Sequence, residues 1–387
     1  MNILVIAHYQ NDGSLCANYV QPQIEEYQKK GNNVKVIVPV PFFKSDFSKR
    51  KVSHIIQKTC VKNVEYCFVR YLSLSNFGKK ADLNTKLFCV QAKLFYKKIM
   101  GDFIPDVIHS HTIGFESEIG FKLKKRMKCP LVVTMHGTDV SVLIDNLKIK
   151  KMSKYLEHVD CPVCVSSSLK KKVAKFCGIE SAVILNGFEN NEFDTSFDMK
   201  NKNTNQIITA CNLIPQKRVH VTIEAFNKVH QLFPSSKLIV AGDGSEKNRL
   251  TELVKSLKLD ESVVFLGKVQ HQVVLEKMKE SSVFVMPSSP EGFGIVYLEA
   301  MSCGCLTIGT EGEGISDLIE HGKNGFLVPV DDSDAISNIM IPFLNNSAAF
   351  SSIVARGIES VQELTWCNNA DKYLTIFKLL QKKEDFK

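Results

Sequence analysis

Short runs of hydrophobic, mostly β-branched residues alternate with longer amphipathic segments along the first half of the chain. The runs predict strands at residues 2–7, 34–38, 64–69, 107–110, 131–135, 163–166 and 182–185. Amphipathic segments, such as residues 85–100 and 115–127, separate several of these runs and predict helices. Because the strands are hydrophobic along nearly their whole length, they are typical of a parallel sheet with helices on both faces.

The alternation stops at residues 191–205, which are polar and without a hydrophobic period, and this indicates a linker. It then restarts, with strands predicted at residues 206–210, 237–241, 263–266, 283–286, 306–309 and 326–328. Helices fit residues 219–233, 246–257, 272–280, 295–303 and 334–343, and the tail from residue 349 is mostly helical. The fold is therefore predicted to be α/β, with two doubly wound, Rossmann-like domains at residues 1–190 and 206–365. Such sheets bind ligands at the carboxyl ends of their strands, so we expect the domains to face a shared cleft.

Length and composition agree with this division. The 387 residues exceed one ordinary domain, and 44% hydrophobic with 23% charged residues is typical of globular proteins. No hydrophobic run reaches the about 18 residues of a membrane span, and the N-terminus lacks a signal-peptide pattern. Twelve cysteines without an export signal predict free thiols in the cytoplasm. Cys161 and Cys164 have redox-motif spacing, but no second pair accompanies them, which favours a structural role.

The net charge of +8 is unevenly distributed. Residues 1–200 contain 30 Lys and Arg against 19 Asp and Glu, whereas residues 201–387 contain 19 against 22. A basic half can contact an anionic partner, although each basic cluster alone is typical of a solvated helix face.

A glycine-containing turn between the predicted strand 283–286 and the predicted helix 295–303 is the most informative stretch. Gly292 and Gly294 permit a tight turn, and the helix that begins near Ile295 adds N–H groups without helical partners. Together these amides can bind phosphate oxygens. Glu299 lies two helical turns beyond, where a carboxylate can accept two hydrogen bonds from a ribose diol, and Glu291 lies in the turn itself.

Here the sequence resembles a known family. Glu291 and Glu299 match the E-x7-E motif of the retaining GT-B glycosyltransferases that use nucleotide sugars, the family 4 or group 1 type. Further matching segments follow in the expected order at residues 212–217, 221–225, 241–244, 266–269, 283–288 and 322–328. The resemblance covers nearly the whole chain and is strongest across residues 206–330.

The resemblance implies a role for each matching residue on the donor side. Lys217 would neutralise the donor diphosphate, where the family usually adds an arginine at the position of Asn212. Arg218 is a candidate to compensate for that missing charge. Val269 and the preceding lysine would frame the nucleobase. The backbone amides of Phe293, Gly294 and Ile295, after Gly292, would hold phosphate and sugar, while Glu299 would bind the ribose and Glu291 the donor sugar.

The first half matches the family at fewer positions. Gly13 resembles the glycine-rich loop that reaches the donor phosphates. His136 and Asp139 match the family's T-x-H-G-x-D/E element, in which the histidine would stabilise charge near the reacting carbon and the aspartate would lie on the acceptor side. His109 and His111 have metal-ligand spacing, but no Cys, Asp or Glu completes a ligand set. The family's D-V-I-H-x-H element accounts for them better, with His111 lining the cleft on the acceptor side and His109 structural.

The expected protein is thus a cytoplasmic glycosyltransferase that works without a metal or other cofactor. It would transfer a sugar from a UDP-sugar or GDP-sugar to a glycan or lipid-linked saccharide, and no nucleic acid is expected as a partner. By the same resemblance, residues 366–387 would form a helix that crosses back to the first domain. Phe42, Phe43 and Phe47, beside the basic residues 49–51, suggest peripheral docking on an anionic membrane face.

Two alternatives remain open on the sequence. A nucleotide-sugar epimerase has the same fold, but the E-x7-E turn together with His136 fits a transferase better. A catalytically silent partner of a glycosyltransferase complex gains weight from Asn212 and from the single Gly13. The retained Lys217 and Glu291 argue against it. A nicotinamide dehydrogenase fits poorly, because no G-x-G-x-x-G follows the first strand of either half.

Overall fold

The computed structural model describes residues 1–9, 14–42, 55–72, 88, 90, 96–145, 149–189 and 202–384. The chain divides into two compact units. The first comprises Met1–Asn186 and Trp366–Lys387, and the second comprises Gly187–Thr365. Each unit is an α/β structure built around its own sheet, which confirms the predicted fold class.

The sheet of the first unit has eight strands in the order β3-β4-β2-β1-β5-β6-β7-β8. The strands are β1 (Asn2–Ile6), β2 (Asn33–Phe42), β3 (Ile56–Val61), β4 (Val64–Leu72), β5 (Val107–His111), β6 (Leu131–Met135), β7 (Cys161–Cys164) and β8 (Ala182–Val183). All neighbouring strands are parallel except β3 and β4. The central strands β1, β5 and β6 are almost completely buried, which explains why they read as continuous hydrophobic runs.

The antiparallel strand β3 corrects the prediction of a wholly parallel sheet. Ile56–Val61 pairs with β4 through a tight hairpin in which Lys62 and Asn63 both have positive φ angles, 48° and 62°. Only one of its six residues is fully buried. An edge strand of this kind carries no continuous hydrophobic run, so the pattern that identifies central strands does not detect it.

The described helices of the first unit cover both faces of its sheet. They are α1 (Gln21–Lys29), α2 (Tyr96–Met100), α3 (Phe115–Met127), α4 (Thr138–Asp145), α5 (Ile149–Leu156), α6 (Ser167–Cys177) and α13 (Trp366–Glu384). α13 packs against α1, where Tyr373 and Phe377 join Tyr27 in one buried cluster. Of the predicted helix at 85–100, only residues 88, 90 and 96–100 are described, and all of these are helical.

The sheet of the second unit has six parallel strands in the order β11-β10-β9-β12-β13-β14. The strands are β9 (Asn203–Ala210), β10 (Lys237–Ala241), β11 (Val263–Gly267), β12 (Ser281–Val285), β13 (Leu306–Thr310) and β14 (Phe326–Val328). The helices are α7 (Val219–Leu232), α8 (Lys247–Ser256), α9 (His271–Glu280), α10 (Ile295–Ser302), α11 (Ser333–Asn345) and α12 (Ser351–Val361). The strands were each predicted to within a few residues.

The start of β9 differs from the predicted linker at residues 191–205. β9 begins at Asn203, and just before it Lys202 is buried with its ammonium donating to the carbonyls of Met278 and Ser281 at 2.9 and 2.6 Å. These carbonyls end α9, where a cation is favourable. A buried, paired lysine is indistinguishable from a solvated one in the sequence. The first residues of β9 were therefore predicted to belong to the linker. Residues 190–201 lie outside the described residues.

Candidate active site

The candidate donor site of the second unit lies where the order of its strands reverses. β9 and β12 are neighbours in the sheet, although β10 and β11 lie between them in the chain. In doubly wound sheets, ligands bind at the carboxyl ends of the strands at this switch point. The segment that leaves β9 contains a 3₁₀ turn ending at Lys217, and the segment that leaves β12 contains the glycine turn before α10.

This geometry brings Lys217 and Glu291 into direct contact. The ammonium of Lys217 forms an ion pair with Oε2 of Glu291, and Ser288 Oγ donates to the same oxygen at 2.9 Å. The two charged side chains are only 21% and 12% exposed. A partly buried ammonium at a strand end can bind phosphate as a point charge. A diphosphate bound to Lys217 would compete with Glu291 for that charge.

The sequence analysis missed Glu313, which holds the backbone of the glycine turn. Its two carboxylate oxygens accept hydrogen bonds from Ser289 Oγ and from the backbone N–H of Glu291, each at 2.8 Å. Glu313 follows β13, the neighbour of β12, and is 7% exposed. Gly314 allows this close approach, because a Cβ there would lie 2.1 Å from the carbonyl oxygen of Gly292. The available sequence signal was an acid in the segment after a buried strand, and Glu311 shares that signal with Glu313.

The N-terminus of α10 forms the other wall of the donor site. Gly294 precedes the helix with a φ of 83°, and a Cβ there would lie 2.6 Å from the Tyr297 ring, so glycine is required on both counts. The first N–H groups of the helix have no partner within it and carry the positive end of its dipole. The side chain of Phe293 is buried, so Phe293 can contact a ligand only through its backbone. The binding role of the amides of Phe293, Gly294 and Ile295 stays a prediction.

Glu299 lies on α10 beside His271, the first residue of α9. The His271 Nε2 atom is 3.4 Å from Oε1 of Glu299, and the glutamate side chain is 15% exposed. Burial raises the pKa of Glu299, His271 opposes this, and the charge of Glu189 adds to it. A carboxylate with this limited exposure can accept hydrogen bonds from a diol at a low cost in desolvation.

The other predicted donor residues have different surroundings. Asn212 is exposed in the loop after β9, and Val269 is half-buried in the loop between β11 and α9. Arg218 forms an ion pair with Asp331, and its Nε donates to the carbonyl of Ser289 at 3.3 Å. Arg218 would have to leave Asp331 before it could contribute its charge to a diphosphate.

The candidate residues of the first unit meet at the carboxyl ends of β5 and β6. His111 ends β5 and His136 follows β6, and Nδ1 of His111 lies 3.1 Å from Nε2 of His136. The ring of Tyr19 lies 4.1 Å from the His136 ring. Burial lowers the pKa of both imidazoles well below the ordinary value, so both rings are neutral at neutral pH. Their other ring nitrogens, Nε2 of His111 and Nδ1 of His136, are buried and have no hydrogen-bond partner among the described residues.

Asp139, predicted on the acceptor side, binds backbone amides. Oδ1 accepts from the N–H groups of His136 and Gly137 at 3.0 and 2.8 Å, and Oδ2 accepts from Ile113 at 2.8 Å. Burial raises the pKa of Asp139, while these hydrogen bonds lower it. The contacts make Asp139 a positioning residue for the loop that carries His136.

His109 belongs to the core. Its Nδ1 pairs with the Tyr27 hydroxyl at 3.2 Å and its Nε2 with Thr134 Oγ1 at 2.9 Å, while Tyr373 of α13 contacts the same threonine at 2.8 Å. Burial lowers the pKa of His109 to about 3. Both ring nitrogens are occupied by hydroxyl groups. Within the described ranges, no group of three or more His, Cys, Asp or Glu residues is arranged to hold a metal ion.

His8 and Glu116 form a pair that the sequence analysis did not identify. His8 follows β1 and Glu116 lies in the first turn of α3, and their Nδ1 and Oε1 atoms are 2.8 Å apart. A histidine directly after a buried strand was the available signal. Gly13 and the proposed membrane segment at residues 43, 47 and 49–51 lie outside the described residues. No helix in the described part of the chain is long and apolar enough to cross a bilayer.

Two Rossmann-like units, one of which carries the E-x7-E turn at a switch point, define the GT-B class of glycosyltransferases. The model of Glycosyltransferase Family 4 matches residues 17–192, and that of Glycosyl transferases group 1 matches residues 190–359. The chain therefore belongs to the family 4, group 1 glycosyltransferases, as its motifs predicted.

Individual relatives agree with this assignment. The chain is 30% identical over 271 residues to N-acetyl-alpha-D-glucosaminyl L-malate synthase of Bacillus anthracis, covering 67% of this chain and 70% of the relative. Sucrose-phosphate synthase from Thermosynechococcus elongatus has a TM-score of 0.77 at 18% identity, with 98% of each chain covered. Anabaena HepE in complex with UDP-glucose has a TM-score of 0.73 at 18% identity, covering 98% of this chain and 100% of HepE. The two structures are similar to this chain in fold.

Proposed function

We propose that this glycosyltransferase transfers a sugar, with retention of configuration, from a UDP-sugar or GDP-sugar to an acceptor hydroxyl. The observation that carries the proposal is the convergence of Lys217, Glu291 and the first amides of α10 at the switch point of the second unit. A phosphate-binding helix end and a cation there suit a nucleoside diphosphate. HepE, which has a similar fold, forms a complex with UDP-glucose, and this supports a donor of this class for the proposed reaction.

The chemistry follows from where charge develops. In the transition state the anomeric carbon becomes cationic while negative charge grows on the leaving diphosphate. Lys217 and the amides of α10 would stabilise that diphosphate more strongly than the intact donor, which lowers the barrier. These protein groups would supply the charge stabilisation that a metal ion could otherwise give the leaving diphosphate, so the proposed reaction needs no metal ion. Glu291 would contact the donor sugar, Glu299 the ribose, and His136 would offer a neutral hydrogen-bonding nitrogen near the reacting carbon.

The proposed acceptor is a glycan or a lipid-linked saccharide, used in cell-surface polysaccharide or glycolipid synthesis at the cytoplasmic membrane face. The excess of Lys and Arg in residues 1–200 supports an anionic surface as a partner. The Bacillus relative is, by its name, a synthase of an L-malate conjugate. L-malate with UDP-N-acetylglucosamine therefore belongs among the pairs to be tested, beside alkyl glycosides and lipid-linked saccharides.

A thermal-shift series followed by a turnover assay tests the proposal. A nucleoside diphosphate that binds only the folded protein raises its melting temperature, so UDP and GDP are compared with ADP and with inorganic phosphate. Release of free nucleoside diphosphate is then measured for each donor with and without the acceptor panel, in EDTA and with added Mg²⁺. The anomeric configuration of the product, read by NMR, tests retention.

Lys228→Ala is the matched control for Lys217→Ala. Lys228 is a partly exposed lysine of the same unit that pairs with Asp334 at 2.6 Å, away from the glycine turn. The proposal predicts that Lys217→Ala loses the UDP or GDP shift and that Lys228→Ala keeps it. Turnover of the donor without acceptor and without diphosphate release would indicate the epimerase instead. If no nucleotide shifts the melting temperature and no donor is consumed, the silent-partner alternative replaces the proposal.

A further inference from the structure

The His8–Glu116 pair lies at the switch point of the first unit. In this sheet β1 lies between β2 and β5. The strands that directly follow β1 in the chain lie on its β2 side, and the later strands lie on its β5 side, so the strand order reverses at β1. His8 follows β1, whereas Glu116 begins the helix that follows β5, so the pair joins two segments 108 residues apart in sequence. The same topological position in the second unit carries the donor site. A ligand in the first unit is therefore expected to meet this pair.

Glu116 is held as an ionised acceptor of two hydrogen bonds. Burial opposes its ionisation, but the bonds from His8 and Thr112 outweigh burial and hold the pKa of Glu116 below its usual range. Thr112 Oγ1 donates to Oε2 at 2.7 Å. Thr112 has a φ of 71°, a left-handed conformation that is strained for a β-branched residue, so the fold tolerates strain at the residue that orients this carboxylate.

The ionised carboxylate fixes the tautomer of His8. A carboxylate only accepts hydrogen bonds, so Nδ1 of His8 must carry the proton in the 2.8 Å contact with Glu116. The other nitrogen, Nε2, then bears the lone pair of the neutral ring. No described residue donates to Nε2, and the His8 side chain is 41% exposed while that of Glu116 is 8% exposed. The pair thus presents one oriented hydrogen-bond acceptor to solvent.

Two carboxylates on neighbouring helices act on His8. The hydrogen bond to Glu116 on α3 raises the pKa of His8, burial opposes this, and Asp139 on α4 raises it further. The charge of His8 also contributes to lowering the pKa of His136, which follows β6. Burial raises the pKa of Tyr19, in the loop before α1, and the charges of Asp139 and Glu116 raise it further. His8 therefore belongs to the same cluster as the histidine that the proposed function places near the reacting carbon.

We propose that His8 is an acceptor-binding residue, whose Nε2 accepts a hydrogen bond from a hydroxyl group of the acceptor, and that Glu116 is its positioning residue. The proposal rests on the proposed function. It specifies the acceptor as a hydroxyl compound bound through a donated O–H. An anionic acceptor group is disfavoured at this place, because Glu116 and Asp139 surround His8 with negative charge.

Two substitutions of His8 separate acceptor binding from simple bracing of the fold. His8→Asn keeps an amide N–H near the Nδ1 position for Glu116 but removes Nε2, whereas His8→Gln keeps a polar group near Nε2 and loses the Nδ1 donor. His158→Asn is the matched control, a histidine of the same unit that stacks on Phe121. The assay measures kcat and KM for the panel acceptor with the highest turnover.

We expect His8→Asn to lose at least tenfold in kcat/KM for the acceptor, while the UDP-induced melting shift stays within error of the wild type. A bracing role predicts that His8→Asn, which keeps the bond to Glu116, retains the wild-type rate. Glu116→Gln adds a test through pH. Because Nε2 must be unprotonated, activity rises with pH through the pKa of His8, and removal of the Glu116 charge moves this acidic limb to lower pH.

Histidine NMR on ¹³C,¹⁵N-labelled protein completes the test without any acceptor. The wild type is expected to show His8 as the Nδ1–H tautomer above its pKa. The proposal is overturned if the proton is on Nε2, if His8→Asn matches His158→Asn within twofold, or if Glu116→Gln leaves the acidic limb in place. Failure of the proposed function would give a different result. The wild type itself would then show no nucleotide-induced change in melting temperature and no donor turnover.

Discussion

The two units place their candidate residues at the same point of the same kind of sheet, yet the two sites differ in charge. The site of the second unit contains a lysine, three carboxylates and the positive end of α10 around one turn. In the first unit, His111 and His136 are neutral, and Asp139 is occupied by backbone amides. The fold determines where a ligand meets the sheet, whereas the side chains determine whether a polyanion or a polyol can bind there.

The two sites also differ in what fixes their geometry. In the second unit, glycines let backbone segments approach each other, as at Gly242, where a Cβ would lie 1.8 Å from the carbonyl oxygen of Cys211. In the first unit, side-chain hydrogen bonds fix the geometry, because His8 and Thr112 both donate to the carboxylate of Glu116. A backbone-defined site presents amides, which suit phosphate. A side-chain-defined site presents oriented nitrogens, which suit hydroxyl groups.

Loss of the lysine should give the largest effect. We expect Lys217→Ala to reduce kcat/KM for the donor by about 100-fold or more, the order of magnitude for removing one group that stabilises developing charge. The measurement is steady-state release of nucleoside diphosphate, with Lys228→Ala as the control. Equal rates for the two variants would mean that the second site does not bind a diphosphate through its cation, and the contrast between the units would fail.

The glycine before α10 tests whether backbone geometry defines the donor site. Gly294 and Gly312 have similar φ angles of 83° and 75°, but only a Cβ at Gly294 would meet another group, the Tyr297 ring at 2.6 Å. Gly294→Ala is therefore expected to cost about 1–3 kcal/mol more in unfolding free energy than Gly312→Ala, and to abolish UDP binding. Urea unfolding and UDP titration of both variants measure this. Equal stability and equal UDP affinity would contradict it.

The neutral histidines of the first unit make its stability depend on pH. His109 has a folded pKa of about 3 against an ordinary value of 6.5, so only the unfolded chain binds this proton in between. Stability is thus lost as the pH falls below 6.5, by up to about 1.4 kcal/mol per pH unit. Fluorescence of Trp366, the one tryptophan in the sequence, reports on this unit because it begins α13.

Urea unfolding at pH 7, 6 and 5 should therefore show a smaller pH dependence for His109→Gln than for the wild type. Parallel pH dependence in the two proteins would mean that His109 is charged in the folded state or accessible to water, so that burial does not lower its pKa.

The smallest effect is expected at Arg218. Asp331→Asn removes the ion-pair partner of Arg218, which is 25% exposed, so the unfolding free energy should change by less than about 0.5 kcal/mol. The freed guanidinium is then expected to strengthen UDP binding slightly, most clearly at low salt. Calorimetric titration of UDP at two ionic strengths measures this. Weaker binding in Asp331→Asn would contradict the prediction that Arg218 can replace the charge missing at Asn212.

Much of the fold could be predicted because strand and helix periods are local. β6, β10 and β14 were predicted with their exact bounds, since buried strands read as uninterrupted hydrophobic runs. The edge strand β3 and the start of β9 were not, because exposed and half-buried polar residues there interrupt the hydrophobic run. A local pattern cannot distinguish a buried, paired lysine such as Lys202 from a solvated one.

The sequence by itself determined the family, the two-sheet architecture and the pair Glu291 and Glu299, because the glycine turn and the helix that carry them form one continuous segment. Only the tertiary structure decided that Lys217 contacts Glu291 across 74 residues, that Glu313 braces the turn, and that His8 finds its partner in Glu116. Those contacts depend on the order in which strands pair. Strand order depends on the packing of the whole sheet, so it cannot be read from the spacing of residues that are close together in the sequence.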